Sequence, residues 1–529
     1  MKNLSKILIL CLLCGVVYFN ALSAGFVLDD KALIVNNPLG KSSALLPNAF
    51  RQGLYDHWVI SQGYDRMYRP LQTVSYWLDY NLFGPGPFGY HLSNILWHFL
   101  NVLLVFYLFT LLFQESKTAF LAAALFAVCP LQSSVVAYIS SRADLLAAFF
   151  MLSAMILFLK SKYAFSIIAA ALALFCRESS SSLFIFIGLI LFYRKSNIRA
   201  YWPILAYILL DILFILLRYA LFGPSGLSTH SEMFGFWPRV LNFLNIIFHY
   251  LGLIVFPFNL HFLRVIDFVS TGDVIFILAF TLLIAVTVFY LRKNKNFIFG
   301  FGWFLAGLLP AWAFLDGYPL LGKAMMAESW LYLSLAGIFF MLAVFLVGRK
   351  KIGKLIFALA LIYYSGLTIF NLTFWQNEAA LLNRVLKFTG QRNILRKDLI
   401  DAYLEKGDYN QALEEINKFS ADFGHTGLVD IVWGNYYLAV GRPNAAIARF
   451  NRAIVDNRHF FLYYRLSTGY KQKGDLAKAI EFGLASQKAN PGFAANLVQL
   501  SELYNLNHET ALSLEYRQRA QKIDPKNVH

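Results

Sequence analysis

Successive runs of about twenty apolar residues restrict this chain more than any other feature of its sequence. A helix rises 1.5 Å per residue, so roughly 20 apolar residues cross the hydrocarbon of a bilayer. Runs at 5–23, 92–113, 118–137, 144–160, 163–177, 180–193, 202–221, 272–291, 297–314, 331–348 and 352–371 therefore predict eleven spans. The first is expected to remain as an uncleaved span. Residues 24–91 form a long loop after it, and the chain turns polar after about 375. Only 14% of residues are charged, well below the roughly one quarter of soluble proteins.

The basic residues orient these spans. With the N-terminus in the cytoplasm, Lys117, Lys160 and Lys162, then Arg194, Lys195 and Arg199, then Arg292, Lys293 and Lys295, and finally Arg349 to Lys354 all fall on the cytoplasmic side. That alternation holds if the apolar run 240–256 does not cross, so it is expected to be re-entrant or interfacial. The last span then exits, placing the C-terminal part outside, as expected for a bacterial inner membrane protein. The net charge of +16 is spent in these short loops, which argues against a nucleic-acid partner. The four cysteines show neither metal spacing nor a disulfide framework.

The polar C-terminal part repeats. Gly407-Asp408, Gly441-Arg442 and Gly474-Asp475 recur at 34 and 33 residues. Ala412-Leu413, Ala446-Ile447 and Ala479-Ile480 follow in step, and Pro491 and Pro525 close units 34 apart. Trp433, Gly434 and Tyr437 occupy the places that a tetratricopeptide (TPR) first helix gives to Trp, Gly and Tyr. Small residues at fixed intervals let paired helices cross closely. About three TPR units and a weaker terminal helix are expected.

Ionisable residues outside the basic loops gather on the opposite side: Asp29, Asp30, Arg69, His91, Arg142, Asp144, Arg177, Glu178, Arg264, Asp267, Asp316, Lys323 and Glu328. Charge at membrane depth is costly, so such a collection points to a site. Asp29-Asp30 could act as a general base or cap a helix. Arg69 could grip a phosphate with two hydrogen bonds or sit at the interface. His91, Asn94 and His98 share one helix face and could bind substrate or metal, although such stripes more often tie helices together. Arg142-Asp144 and Arg177-Glu178 each read as a local pair or a phosphate contact. Asp211 and Arg218, two turns apart, read as an internal pair, with Arg218 near enough to the outer surface to touch phosphate. No Walker loop, dinucleotide fingerprint, HExxH or nucleophile elbow is present.

Taken in order, several stretches resemble one family: Phe26 to Asp30, Tyr68 to Tyr76, Phe88 to Asn101, Cys129 to Leu146, Arg177-Glu178, Ala327 to Gly337, and Phe374 to Glu378. Together they are similar to the transmembrane-and-TPR O-mannosyltransferases and their bacterial relatives of the GT-C glycosyltransferase fold. This chain departs from them at Cys129-Pro130 (His-Pro in the family), Arg177-Glu178 (often Lys-Glu) and Glu328-Ser329 (Glu-Arg). The resemblance implies an all-α chain: a polytopic membrane domain of GT-C type over 1–375, a linker over 376–396 and a TPR α-solenoid over 397–529. It implies transfer of a sugar, mannose in the family, from a polyprenyl-phosphate donor to an acceptor such as a protein Ser or Thr on the outer face. Asp29 or Asp30 would be catalytic, with a slight preference for Asp30. Arg69, Arg142, Arg177 and Arg218 would bind the donor phosphate, and His91, Asn94, Asp144, Glu178 and Glu328 the substrate. No cofactor is assigned, and a divalent metal is left open. The acceptor or a partner protein would bind the repeats. The competing reading is a non-catalytic membrane scaffold that uses the repeats alone. A transporter would call for an inverted repeat, which the sequence lacks.

Overall fold

A computed structural model describes the chain except residues 1, 57–66, 224–235, 267–270, 315–323, 390–394, 457–458 and 527–529. Asp267, Asp316 and Lys323 lie outside the described residues. Among the described residues the fold is all-α apart from one short antiparallel pair, Leu263–Ile266 against Ala324–Ala327. It divides into two compact units.

The first unit comprises residues 1–25, 63–72 and 87–376. Among the described residues, six of its helices are long and apolar enough to cross a membrane: Asn3–Ser23, Pro87–Phe113, Ile139–Leu159, Ile198–Phe222, Phe236–Val255 and Lys350–Trp375. This is a multi-pass membrane protein. The run 118–137 is a bent pair, Ser116–Val128 and Pro130–Ala137, meeting at 54°. Pro130 has no N–H to continue the first helix, and Cys129 is extended. In lipid the freed carbonyls need partners. His98 Nε2 lies 3.1 Å from the Ala127 oxygen, and Thr368 donates to the Val128 oxygen at 2.7 Å. Other predicted spans are shorter helices, such as Tyr163–Cys176 and Leu335–Val347. The run 240–256, expected to be re-entrant or interfacial, falls but for its last residue in a helix of 20 residues, Phe236–Val255, which starts earlier and so reaches spanning length. Close helix crossing rests on glycine: a Cβ on Gly300 of the Lys295–Leu308 helix would meet the Gly337 carbonyl at 2.7 Å.

The second unit comprises residues 26–62, 73–86 and 377–529. Its C-terminal part stacks four helix pairs: Leu395–Lys406 with Tyr409–Phe423, Gly427–Ala439 with Pro443–Asp456, Phe460–Lys473 with Leu476–Ala489, and Ala494–Leu506 with Thr510–Ile523. This is the predicted TPR solenoid, in which the expected terminal helix gains a partner and completes a fourth pair. Gly407, Gly441 and Gly474 turn the first three pairs with φ of 79°, 71° and 87°. His508 makes the fourth turn at φ 61°, so the glycine that marks a unit in the sequence is missing there. Asp408 and Asp475 then cap the following helices. Much of the long loop packs on this array. Lys41 and Asp524 form a buried ion pair, and the Tyr80 hydroxyl donates to Asp524 at 2.7 Å.

Candidate active site

A cavity of about 330 Å³ lies within the first unit. Three guanidinium groups (Arg69, Arg177, Arg218) and three carboxyls (Asp144, Glu178, Asp211) line it, with serines 179, 181 and 182. The rest of its wall is largely apolar, including Met151, Leu174, Phe186 and Phe214. Helix ends supply most of the charge. Arg69 directly precedes the helix that Pro70 starts, Asp144 is in the first turn of Arg142–Leu159, and Arg218 is near the end of Ile204–Phe222. Arg177 has extended backbone between two helices and turns its side chain to Asp144, with which it forms an ion pair. Glu178 accepts from Arg69 Nε at 3.0 Å and from the Tyr68 N–H at 3.2 Å. Arg69 and Arg177 are therefore held in place before any ligand arrives. In an apolar setting such groups interact strongly with a phosphate.

Asp211 lines the same cavity, but among the described residues no ion pair joins it to Arg218. Seven residues of helix separate the two by about 10 Å along the axis, too far for the internal pair expected from the sequence. Trp330 and Tyr332 also line the cavity and were not singled out as site residues. Their only signal was membership of the Ala327–Gly337 stretch.

The remaining candidates lie elsewhere in the unit. Arg142 is fully buried, donates from Nη2 to the Tyr90 carbonyl at 2.8 Å and bonds the Asn94 side chain. Asn94 in turn donates to the carbonyls of Val136 and Tyr138 at 3.1 and 3.2 Å. His91 is also fully buried, and none of the three lines the cavity. His98 accepts from the Tyr332 hydroxyl through Nδ1 at 2.8 Å, so it ties helices together. Glu328 is buried, accepts from the His261 N–H at 2.9 Å and lies 3.7 Å from Arg264. Arg264 is thus the cation beside Glu328. Among the described residues no three His, Cys, Asp or Glu come together as a metal site.

The acidic dipeptide belongs to the second unit. Asp30 is fully buried, and its Oδ2 accepts from the Val27 N–H at 3.1 Å, closing a tight turn. Asp29 is exposed. Leu28, between them and Val27, is left-handed at φ 50°. Glu378 accepts from the Leu28 N–H at 3.1 Å. Burial pushes the Glu378 carboxyl above the ordinary glutamate range, although the Lys31 ammonium beside it pulls the other way.

No family model matches the chain. A Caenorhabditis elegans protein named protein O-mannosyl-transferase F38B6.6 is 35% identical over 164 residues, 30% of this chain and 24% of its own length. The human protein O-mannosyl-transferase TMTC3 is 30% identical over 186 residues, 33% of this chain and 20% of its own. The chain thus spans about a quarter or less of the length of these relatives. Among solved structures, MamA covers 28% of this chain and 81% of its own at 23% identity and a TM-score of 0.23. Across about a third of its length, then, this chain resembles the transmembrane-and-TPR proteins named protein O-mannosyl-transferases.

Proposed function

We propose that this protein is a membrane glycosyltransferase of the GT-C type that moves a sugar from a polyprenyl-phosphate donor to a protein hydroxyl on the outer face of a bacterial inner membrane. The cavity with its three guanidiniums, two of them held by carboxylates, carries this reading. A polyprenyl tail stays in the bilayer, and its phosphate needs cationic partners at the interface. Arg69, Arg177 and Arg218 fit that need, and the names of the relatives support mannose and a protein acceptor.

In the proposed reaction the acceptor oxygen bonds to the anomeric carbon as the bond from that carbon to the phosphate oxygen breaks. The electron pair leaves with the phosphate, stabilised by the guanidiniums. The hydroxyl proton goes to a carboxylate of the first outer loop. Asp29 is the better base of the two, because the Asp30 carboxylate closes its own turn and has no exposed surface. This reverses the slight preference for Asp30 drawn from sequence. Asp144 and Glu178 hold the arginines, and the repeats bind the acceptor or a partner protein.

The test uses purified protein, radiolabelled polyprenyl-phosphate mannose and a Ser/Thr-rich protein acceptor. Wild type is expected to transfer label. Asp29→Asn is expected to fall by about a hundredfold or more, the usual scale for losing a general base. Asp30→Asn keeps an acceptor for the Val27 N–H and is expected to fall much less. Full activity in Asp29→Asn would remove it as the base, and an inactive wild type with this donor would remove the donor assignment.

A further inference from the structure

The loop that carries the acidic dipeptide lies in one unit with the repeat array, although about 350 residues separate them in sequence. Two side chains of the array region hold it. Glu378, at the start of the Glu378–Thr389 helix, accepts from the Leu28 N–H through Oε1 and meets Lys31 Nζ through Oε2 at 2.5 Å. Glu405, near the end of the first repeat helix, meets the same Lys31 Nζ at 2.8 Å. Leu28 and Lys31 bracket Asp29 and Asp30 on either side.

The geometry demands such a hold. Leu28 is left-handed, a conformation that a branched side chain disfavours and that persists only when its surroundings fix it. Asp30 closes the turn from within. Glu378 fixes it from outside by taking the Leu28 amide, and its side chain is only 10% exposed, so a competing water bond is restricted. A bidentate carboxylate shared by one amide and one ammonium sets direction as well as distance.

We infer that Glu378 is a positioning residue for sugar transfer: through Leu28 and Lys31 it fixes the turn that presents Asp29. The inference rests on Asp29 being the base. It assigns the Glu of the Phe374–Glu378 stretch a role that places the catalytic loop under the control of the helix leading into the repeat array. Glu405 shares only Lys31 and contributes less.

The experiment compares full-length wild type with Glu378→Ala, Glu378→Gln and Glu378→Asp. Amide hydrogen exchange reads the turn, steady-state transfer reads kcat and KM for polyprenyl-phosphate mannose, and thermal melting confirms folding. Glu378→Ala is expected to speed exchange at Leu28 more than tenfold and to lower kcat by about a hundredfold with KM unchanged, the scale of an ångström of misplacement. Glu378→Gln keeps the acceptor for Leu28 and loses the charge, so its kcat should fall only about tenfold. Glu378→Asp should recover part of the loss. Adding Glu378→Ala to Asp29→Asn should cost little more, because both act through one carboxylate. Wild-type exchange at Leu28 in Glu378→Ala overturns the inference. So does wild-type kcat, or a change confined to KM. If wild-type protein transfers no sugar, the donor or base reading fails by itself, and the exchange arm still decides whether Glu378 holds the turn.

Discussion

Arg69 and Arg177 in the cavity are paired before they are useful. Arg177 and Asp144 are 13% and 10% exposed, and neither charge can be removed alone without stranding the other. Arg177→Met is therefore expected to cost about 3–5 kcal/mol of stability. The double variant Arg177→Met with Asp144→Asn should regain most of that stability and still transfer poorly, because the guanidinium itself is gone. Thermal melts and transfer rates of the three proteins separate the two effects. If the double variant regains activity with stability, Arg177 serves only the fold. The sequence marked Arg69, Arg177 and Arg218 alongside Arg142, and nothing in spacing distinguished them. Burial against Tyr90 and Asn94 sets Arg142 apart, and that depends on how two helices meet.

Helices in the array show how small residues and turns set the repeat. A Cβ on Gly434 would press into the Phe450 ring. Gly434→Ala is expected to destabilise the array by about 1–3 kcal/mol through overpacking. The fourth turn gives the opposite expectation. His508 has φ 61°, so His508→Gly should relieve left-handed strain and stabilise by about 1 kcal/mol. Chemical denaturation of a 376–529 fragment measures both. A destabilised His508→Gly variant would show that the fourth pair does not form this turn. The first three pairs were legible because Gly is favoured at positive φ; the fourth was not, because histidine there carries no repeat signature.

At the scale of the molecule, the long loop joins the repeats through Asp524. Its ion pair with Lys41 leaves both side chains under a tenth exposed. Asp524→Ala is expected to cost about 3–5 kcal/mol in the full chain, because the Lys41 ammonium stays buried without its partner. The same change in the 376–529 fragment, which lacks Lys41 and Tyr80, should be nearly neutral. Equal losses in both would show that the loop is not held there. Topology has its own test. With Phe236–Val255 not crossing, alkaline phosphatase fused after Thr389 should be active and a cytoplasmic reporter at the same position silent; the reverse result would move the repeats to the cytoplasm and make that helix a span.

What the sequence determined by itself follows from local rules. Long apolar runs have few ways to satisfy their backbone except as helices in lipid, and Gly, Ala and Pro at a 33–34-residue period force stacked helix pairs. It also marked Arg69, Asp144, Arg177, Glu178 and Arg218, since charge near a membrane is costly enough to stand out. Tertiary structure decided the rest. It put Asp211, Trp330 and Tyr332 on the cavity wall and withdrew His91, Asn94 and Arg142 into the packing. It also packed the acidic loop with the repeats through Lys31, Lys41, Glu378 and Asp524. Contacts between residues hundreds of positions apart leave no period in a sequence, because they depend on where whole helices lie and not on the spacing within any one of them.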